Sequence, residues 1–579
     1  MKRFCLLLAF ALSACLGVAE PQASPDDAAR VVRTVSTGAL AGRVLDGVHI
    51  WRAVPFAAAP VGPLRWRAPR PPAPWSGVRD ASGPSPWCPQ VLSALDGVSQ
   101  SRWGELAGQE DCLFLDIYAP AMTSEVAAQR RLPVMMWIHG GSNVWGRAEQ
   151  YDASELARRH NLIVVVVQYR LGPLGWFAHS ALREGGERPD DASPNFGTLD
   201  NIRALEWIRD EISVFGGDPN LVTIFGESAG GQNVAALLAS PRASGLFHRA
   251  IVQSGSFKTT ALTEAEGLGE NRRPDSAIAV AARMLANTTV TGQALRDLPL
   301  DAIFAAYDTS RGAFDPPRVI ADGVVLPAAG IEAAIKDGDS YNNVPVMLGT
   351  NRDETKLFNA LNPELTRRVL WLFPQARDPV FYDAVSSYQS RMWRAAAVDA
   401  PASSMSQAGN GAVYTYRFDW DDQGAILFTD LGRLLGAAHS MEIPFVFGHF
   451  KLLGAFDRFA FTNANEDERV ALSDAMMSYW VEFARTGAPG RGVNGDLPTW
   501  TGARSASGPA TMILDAASDG GVRISDDIES ADQIARDIFN DRRLETNEEQ
   551  CQVFNATERW NPELTGLDGA RCATPDPSQ

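Results

Sequence analysis

A serine between two glycines, Gly226-Glu227-Ser228-Ala229-Gly230, follows a short apolar run at 222–225 and precedes a stretch at 233–240 that is rich in helix formers. In that setting the glycines permit a sharp strand-to-helix turn, which would lift the Ser228 hydroxyl into a cleft at a helix N-terminus. Without its flanks the pattern is common, and a surface turn is the competing reading. A serine hydroxyl at its ordinary pKa is a poor nucleophile, so it needs a base, and histidine is the side chain poised to act near neutral pH. The chain has seven histidines. His49, His160, His179 and His248 lie among residues with no other chemistry and read as structural, and His449 sits beside aromatic residues and reads as packed. His439, in Gly436-Ala437-Ala438-His439-Ser440-Met441-Glu442, has small neighbours that leave its imidazole room to reach a cleft.

Such a base needs a carboxylate to hold its tautomer and stabilise its charged form. Where a strand-turn-helix serine uses one, the acid lies between Ser and His in chain order. Asn351-Arg352-Asp353-Glu354 follows the apolar run at 344–348, at a strand end where functional groups of open sheets collect, and either carboxylate can serve. A solvated acidic loop is the alternative. Charge developing on a substrate oxygen needs backbone donors in a dry site. Trp137-Ile138-His139-Gly140-Gly141-Ser142 ends another strand-like run with small residues whose amides can approach closely, and the amide of Ala229 adds a donor beside the nucleophile.

These groups need a scaffold that brings distant segments together. Apolar runs at 134–138, 163–167, 222–225 and 344–348 alternate with long helical patterns such as 199–215, which implies a mainly parallel, buried sheet. The chain has 579 residues, 45% hydrophobic and 21% charged, which excludes wholesale disorder. With no internal repeat or long low-complexity linker, one large α/β domain over 30–579 is more economical than several. Lys plus Arg number 52 against 69 Asp plus Glu, a net charge of −17 that argues against nucleic acid or anionic lipid as a partner.

Lys2 and Arg3 precede an uncharged stretch at 4–19, with Glu20 and Pro21 behind it, and residues 1–19 read as an export signal. Leu12-Ser13-Ala14-Cys15 resembles the bacterial lipobox, in which the cysteine is acylated and becomes the first mature residue; ordinary cleavage after Ala19 is the alternative. Leu16, not Asp, follows the cysteine, which by resemblance to Gram-negative lipoproteins favours the outer membrane over the inner. Residues 20–29 read as a flexible tether. The protein is thus expected to be periplasmic, anchored to the outer membrane or secreted. Cys88, Cys112, Cys551 and Cys572 remain, an even count that suits an oxidising compartment. Four cysteines allow three pairings, and proximity favours Cys88 with Cys112 and Cys551 with Cys572. No Cys-x-x-Cys or His pair at ligand spacing accompanies them, so no metal site is expected, and nothing calls for a cofactor.

Taken together these segments resemble the type B carboxylesterases, the cholinesterase-like branch of the α/β-hydrolases. The likeness runs through Pro60-Val61-Gly62-Pro63-Leu64-Arg65-Trp66, Glu110-Asp111-Cys112-Leu113-Phe114-Leu115-Asp116, Tyr169-Arg170-Leu171-Gly172 and Phe215-Gly216-Gly217-Asp218-Pro219 to the elbow at Ser228, and on to His439 and Tyr479-Trp480. It implies an α/β-hydrolase fold in which Ser228 is the nucleophile, His439 the base and Glu354 the acid. Gly141, Ser142 and Ala229 would hold the oxyanion, and a Cys88–Cys112 disulfide would enclose a loop over the gorge. Where the family usually has three glycines and then Phe, this chain reads Gly140-Gly141-Ser142-Asn143, which implies a more polar wall in place of an apolar acyl pocket. Trp103 lies near where cholinesterases carry a choline-binding Trp, but an aromatic in a disulfide loop reads as packing. The expectation is an exported serine ester hydrolase acting on small-molecule esters through an acyl-enzyme. A carbamate or amide hydrolase of the same fold is the alternative, and a non-catalytic adhesion-type member would be expected to lack the nucleophile.

Overall fold

The computed structural model describes residues 30–558 except 94–97, 270–272, 287, 308–317, 370–372, 452–453, 455–456 and 503–509, together with residue 572. The export segment at 1–19, Cys15 and the tether at 20–29 lie outside the described residues.

Two runs set the architecture. Leu132–Ile138 and Ile163–Val167 are apolar and buried throughout, as expected of strands covered on both faces. Successive side chains enter opposite cores. Val134, Met136, Val165 and Val167 join one, while Met135, Trp137, Val164 and Val166 join the other. Each such valine, removed fully from water, contributes roughly 1.5–3 kcal/mol. A charge at Val165 would therefore break this sandwich.

Among the described residues the main sheet has thirteen strands. Twelve are labelled in chain order: β1 (Arg30–Val35), β2 (Gly38–Leu45), β3 (Val48–Pro55), β4 (Phe114–Pro120), β5 (Leu132–Ile138), β6 (Ile163–Val167), β7 (Gly217–Glu227), β8 (Arg249–Gln253), β9 (Val346–Asn351), β10 (Val413–Phe418), β11 (Thr511–Leu514) and β12 (Arg523–Ser525). Their spatial order is β1-β2-β3-β4-β6-β5-β7-β8-β9-β10-β11-β12, with Val78–Asp80 beside β2. Every pairing from β6 to β11 is parallel. The flanking pairs are antiparallel, except that Val78–Asp80 runs parallel to β2. With helices on the faces, this is the mostly parallel sheet of an α/β-hydrolase fold.

Register brings the strand ends level. Gly226 pairs with Ile138 and Val252, and Gln253 with Gly349, so the carboxyl ends of β5, β7, β8 and β9 open on one edge. The run at 344–348 enters the sheet only at Val346, because Pro345 has no N–H for the ladder, and continues through polar Thr350 and Asn351. The helical pattern at 199–215 becomes helix α1 (Phe196–Glu211) and a tighter turn, Ile212–Phe215, closed by Gly216 at φ +95°.

Cys88 is bonded to Cys112, and Cys551 to Cys572, across separations of 24 and 21 residues. In the chain-entropy picture each closure is worth about 3 kcal/mol. The second sits in a satellite core built from Pro379–Arg394, Ala531–Asn540 and Asn547–Glu558. Among the described residues no helix is long and apolar enough to cross a membrane.

Candidate active site

β7 turns into helix α2 (Ala229–Ala239) at a single residue, Ser228, which takes φ +58°, ψ −121°. That region is costly for a side-chain-bearing residue, of the order of 1–3 kcal/mol, and the surroundings hold it there. The Ser228 N–H donates to the Gln253 carbonyl at 2.9 Å, and the Gln232 N–H donates to the Ser228 carbonyl at 3.0 Å. Only glycine fits at Gly230, where a Cβ would stand 1.9 Å from the Ile138 carbonyl oxygen. The elbow and the end of β5 are thus pressed together.

Ser228 and His439 line one cavity of about 510 Å³, of a size that suits a small molecule. Of the two carboxylates read as candidate acids, Glu354 meets the imidazole, its Oε2 receiving the His439 Nδ1–H at 2.5 Å. Its Oε1 accepts the Asn351 N–H at 2.7 Å. Asp353 faces elsewhere: it pairs with Arg352 at 2.8 Å and Lys356 at 3.2 Å. Burial alone would raise the Asp353 pKa, but these two cations outweigh it and hold it below the usual range. One residue of chain separates a carboxyl bonded to imidazole from one locked in ion pairs.

The opposite nitrogen, His439 Nε2, is buried and has no hydrogen-bond partner among the described residues. It stands 3.1 Å from Glu227 Oε1, a carboxylate inside the elbow motif to which the motif reading gave no role. Glu442, three residues after His439, is a further buried carboxylate, bonded to Asn351 Nδ2 at 2.7 Å and Gln253 Nε2 at 3.2 Å. Trp480 Nε1 holds Gln253 Oε1 in turn at 3.1 Å. Burial raises the pKa of Glu227, and burial together with its acidic neighbours raises that of Glu442. Burial would lower the His439 pKa, yet the charges of Glu227 and Glu354 and the hydrogen bond to Glu354 outweigh it and raise it to about 9. Trp393 and Phe358 pack against the imidazole, with ring centroids 4.8 Å and 5.5 Å away. The acidic neighbours had a signal in the sequence, since both adjoin quoted motif residues. Trp393 and Phe358 had none.

At the end of β5, Gly141 and Ser142 take positive φ, +93° and +54°, and with Ala229, the first residue of α2, their amides donate to nothing among the described residues. The polar wall expected from Ser142 and Asn143 is only half present. Ser142 is exposed in the cavity, whereas Asn143 is fully buried, its Oδ1 accepting from Asn233 Nδ2 at 2.7 Å and Tyr169 OH at 3.3 Å. Its carbonyl accepts the Gly172 N–H at 2.7 Å, so Asn143 braces the loop and does not face substrate. Leu357, Phe358, Ile443, Phe447 and Trp145 supply apolar lining.

One histidine reading changes, that of His449, and His139, to which no role was given, acquires one. His139 is a buried brace, its Nδ1–H donating to the Gly140 carbonyl and its ring stacked on Tyr169, and burial lowers its pKa to about 4. His449 is not packed away: it is half-buried, lines the cavity and lies 3.6 Å from Asp152. Trp103 is not packing either, being 43% exposed. None of the described residues at 89–111 lines the cavity.

The arrangement can run nucleophilic acyl transfer: a hydroxyl on a strained turn, an imidazole fixed by a carboxylate, and amides free to hold an oxyanion. A model of the carboxylesterase family matches residues 29–368 and 375–519. The chain is 34% identical to a para-nitrobenzyl esterase of Bacillus subtilis (strain 168) over 79% of its length and 90% of that protein's. It is also 34% identical to a cocaine esterase of Homo sapiens, covering 82% of this chain and 86% of that one. Among solved structures, a thermophilic PNB esterase superposes with a TM-score of 0.67 at 31% identity, over 85% of this chain and 97% of that one.

Proposed function

Since the chain belongs to the carboxylesterase family and is a carboxylic ester hydrolase, we propose that it works through an acyl-enzyme formed on Ser228, with His439 as base and Glu354 as the acid that orients it. Ser228 Oγ attacks the ester carbonyl carbon while His439 Nε2 takes the hydroxyl proton. The oxyanion rests on the amides of Gly141, Ser142 and Ala229. The carbon–oxygen bond to the alcohol then breaks, and His439 returns its proton to the leaving oxygen. Water, deprotonated by the same nitrogen, attacks the acyl carbon and releases the acid with Ser228 restored.

The observation that carries this reading is the two-sided state of His439, with Nδ1 bonded to Glu354 and Nε2, which has no hydrogen-bond partner among the described residues, at the cavity shared with Ser228. Turnover of a panel of esters by the wild type, Ser228→Ala and His439→Asn tests it. Loss of turnover and of organophosphate labelling in Ser228→Ala is expected, and label retained on that variant would overturn the assignment.

Export belongs to the same proposal. Lys2-Arg3, the uncharged stretch behind them and Cys15 support a lipid-anchored mature chain, and the two disulfides are consistent with an extracellular or secreted protein.

A further inference from the structure

We propose that Ser440 is a positioning residue for the base: its hydroxyl, donated to Glu227 Oε1, holds a second carboxylate against the His439 nitrogen that must receive the Ser228 proton. The inference rests on the Ser228–His439–Glu354 reading and adds a control upon it.

Three observations carry it. Ser440 Oγ donates to Glu227 Oε1 at 2.7 Å, and the same oxygen lies 3.1 Å from His439 Nε2. Ser440 takes φ +71°, a conformation in which glycine would be the unstrained choice, so the chain carries a hydroxyl at a position where backbone geometry favours none. Gly140 leaves the room this carboxylate needs, since a Cβ there would stand 2.8 Å from Glu227 Oε2.

The surroundings make the contact consequential. Glu227 is influenced by His439 and Glu354, the buried Tyr151 phenol by Glu227, and His439 by Glu227, Glu354 and Glu442. The buried Tyr416 phenol feels all three carboxylates from β10. Burial and the charge of Glu354 favour the neutral Glu227 carboxyl, while the charge of His439 and the donated Ser440 hydroxyl favour the ionised form. An ionised Glu227 opposite Nε2 favours imidazolium, which cannot accept the seryl proton. It equally stabilises imidazolium once that proton has moved. Ser440 therefore sets the pH at which the base becomes free and, above that pH, supports the transition state.

The experiment compares pH profiles of kcat/KM for the wild type, Ser440→Ala, Ser440→Gly, Glu227→Gln and the Ser440→Ala/Glu227→Gln double variant. Losing the hydroxyl should move the acidic limb to lower pH by about half a unit or more, and should lower plateau kcat several-fold with little change in KM. Alanine retains the strained backbone and glycine relieves it, so agreement between the two assigns the shift to the hydroxyl, and either variant alone reads the limb. Glu227→Gln should shift the limb further, and adding Ser440→Ala to it should shift it no more. An acidic limb unmoved in the Ser440 variants would overturn the proposal, as would an undiminished Ser440→Ala shift in the Glu227→Gln background. His439→Asn, measured alongside, reports on the underlying reading: if it keeps wild-type turnover and limb, that reading fails for its own reason.

Discussion

Asn351 donates its backbone N–H to Glu354 Oε1 at 2.7 Å, which leaves Oε2 to receive the His439 Nδ1–H at 2.5 Å. The last residue of β9 thus aims the carboxylate at the imidazole, and Asp353, one residue earlier, is spent on Arg352 and Lys356. Glu354→Gln should lower kcat by about 10³ or more, because the amide keeps the shape but cannot stabilise imidazolium, and its cost in stability should fade as pH rises toward about 9.

Asp353→Asn should do the reverse. Its lowered pKa means the ionised form stabilises the fold above the unfolded carboxylate pKa, and this stability is lost as pH falls through the folded value. Replacing it at neutral pH leaves Lys356 without a carboxylate partner among the described residues, while Arg352 keeps Asp421 at 2.5 Å, at a cost of the order of 3 kcal/mol. Urea denaturation at pH 7 should report that loss, while kcat of the folded enzyme stays within a few-fold of wild type. Equal kinetic losses in the two variants would mean the acid lies elsewhere.

Ser142→Gly tests the oxyanion wall. The amide survives the change and the φ of +54° becomes unstrained, so stability should rise by about 1 kcal/mol and kcat should hold within a few-fold. Chain-length preference should move toward bulkier acyl groups, because Ser142 is exposed in the cavity. A loss of 10²-fold or more in kcat would show that the seryl side chain, and not the backbone, carries the contact.

The wild-type pH dependence should oppose activity to stability. His439 has a raised folded pKa, so its contribution to stability is present below about 6.5 and fades as pH rises toward about 9. Base catalysis needs the neutral imidazole and should climb over the same interval. Rate profiles and thermal melts of wild type and His439→Asn check this, and a difference in Tm between them that is flat from pH 6 to 9 would contradict the assignment.

Cys15→Ala should release the protein from membranes or block its processing, and mass spectrometry of the mature N-terminus should find acylated Cys15. An unmodified chain beginning at Glu20 would refute the anchor. Replacing Cys551 and Cys572 together by Ser should cost about 3 kcal/mol in the C-terminal satellite core and leave kcat unchanged.

The sequence by itself determined the features that depend on near neighbours. The glycines around Ser228, the apolar runs that became β5, β6 and β7, and the small residues before His439 are patterns within a few positions, and backbone sterics and side-chain periodicity act over that range. Read from the residues alone, Asp353 and Glu354 were equivalent, and only the likeness to a family separated them. The tertiary structure decided which of them meets the imidazole, because β9 ends at Asn351 and its amide turns Glu354 toward a histidine 85 residues on. It alone put Glu227 against Nε2, Trp393 over the ring and Asn143 inside the protein. Those contacts join segments dozens to hundreds of residues apart, and they exist because the register of a buried parallel sheet brings the carboxyl ends of β5, β7 and β9 to one edge.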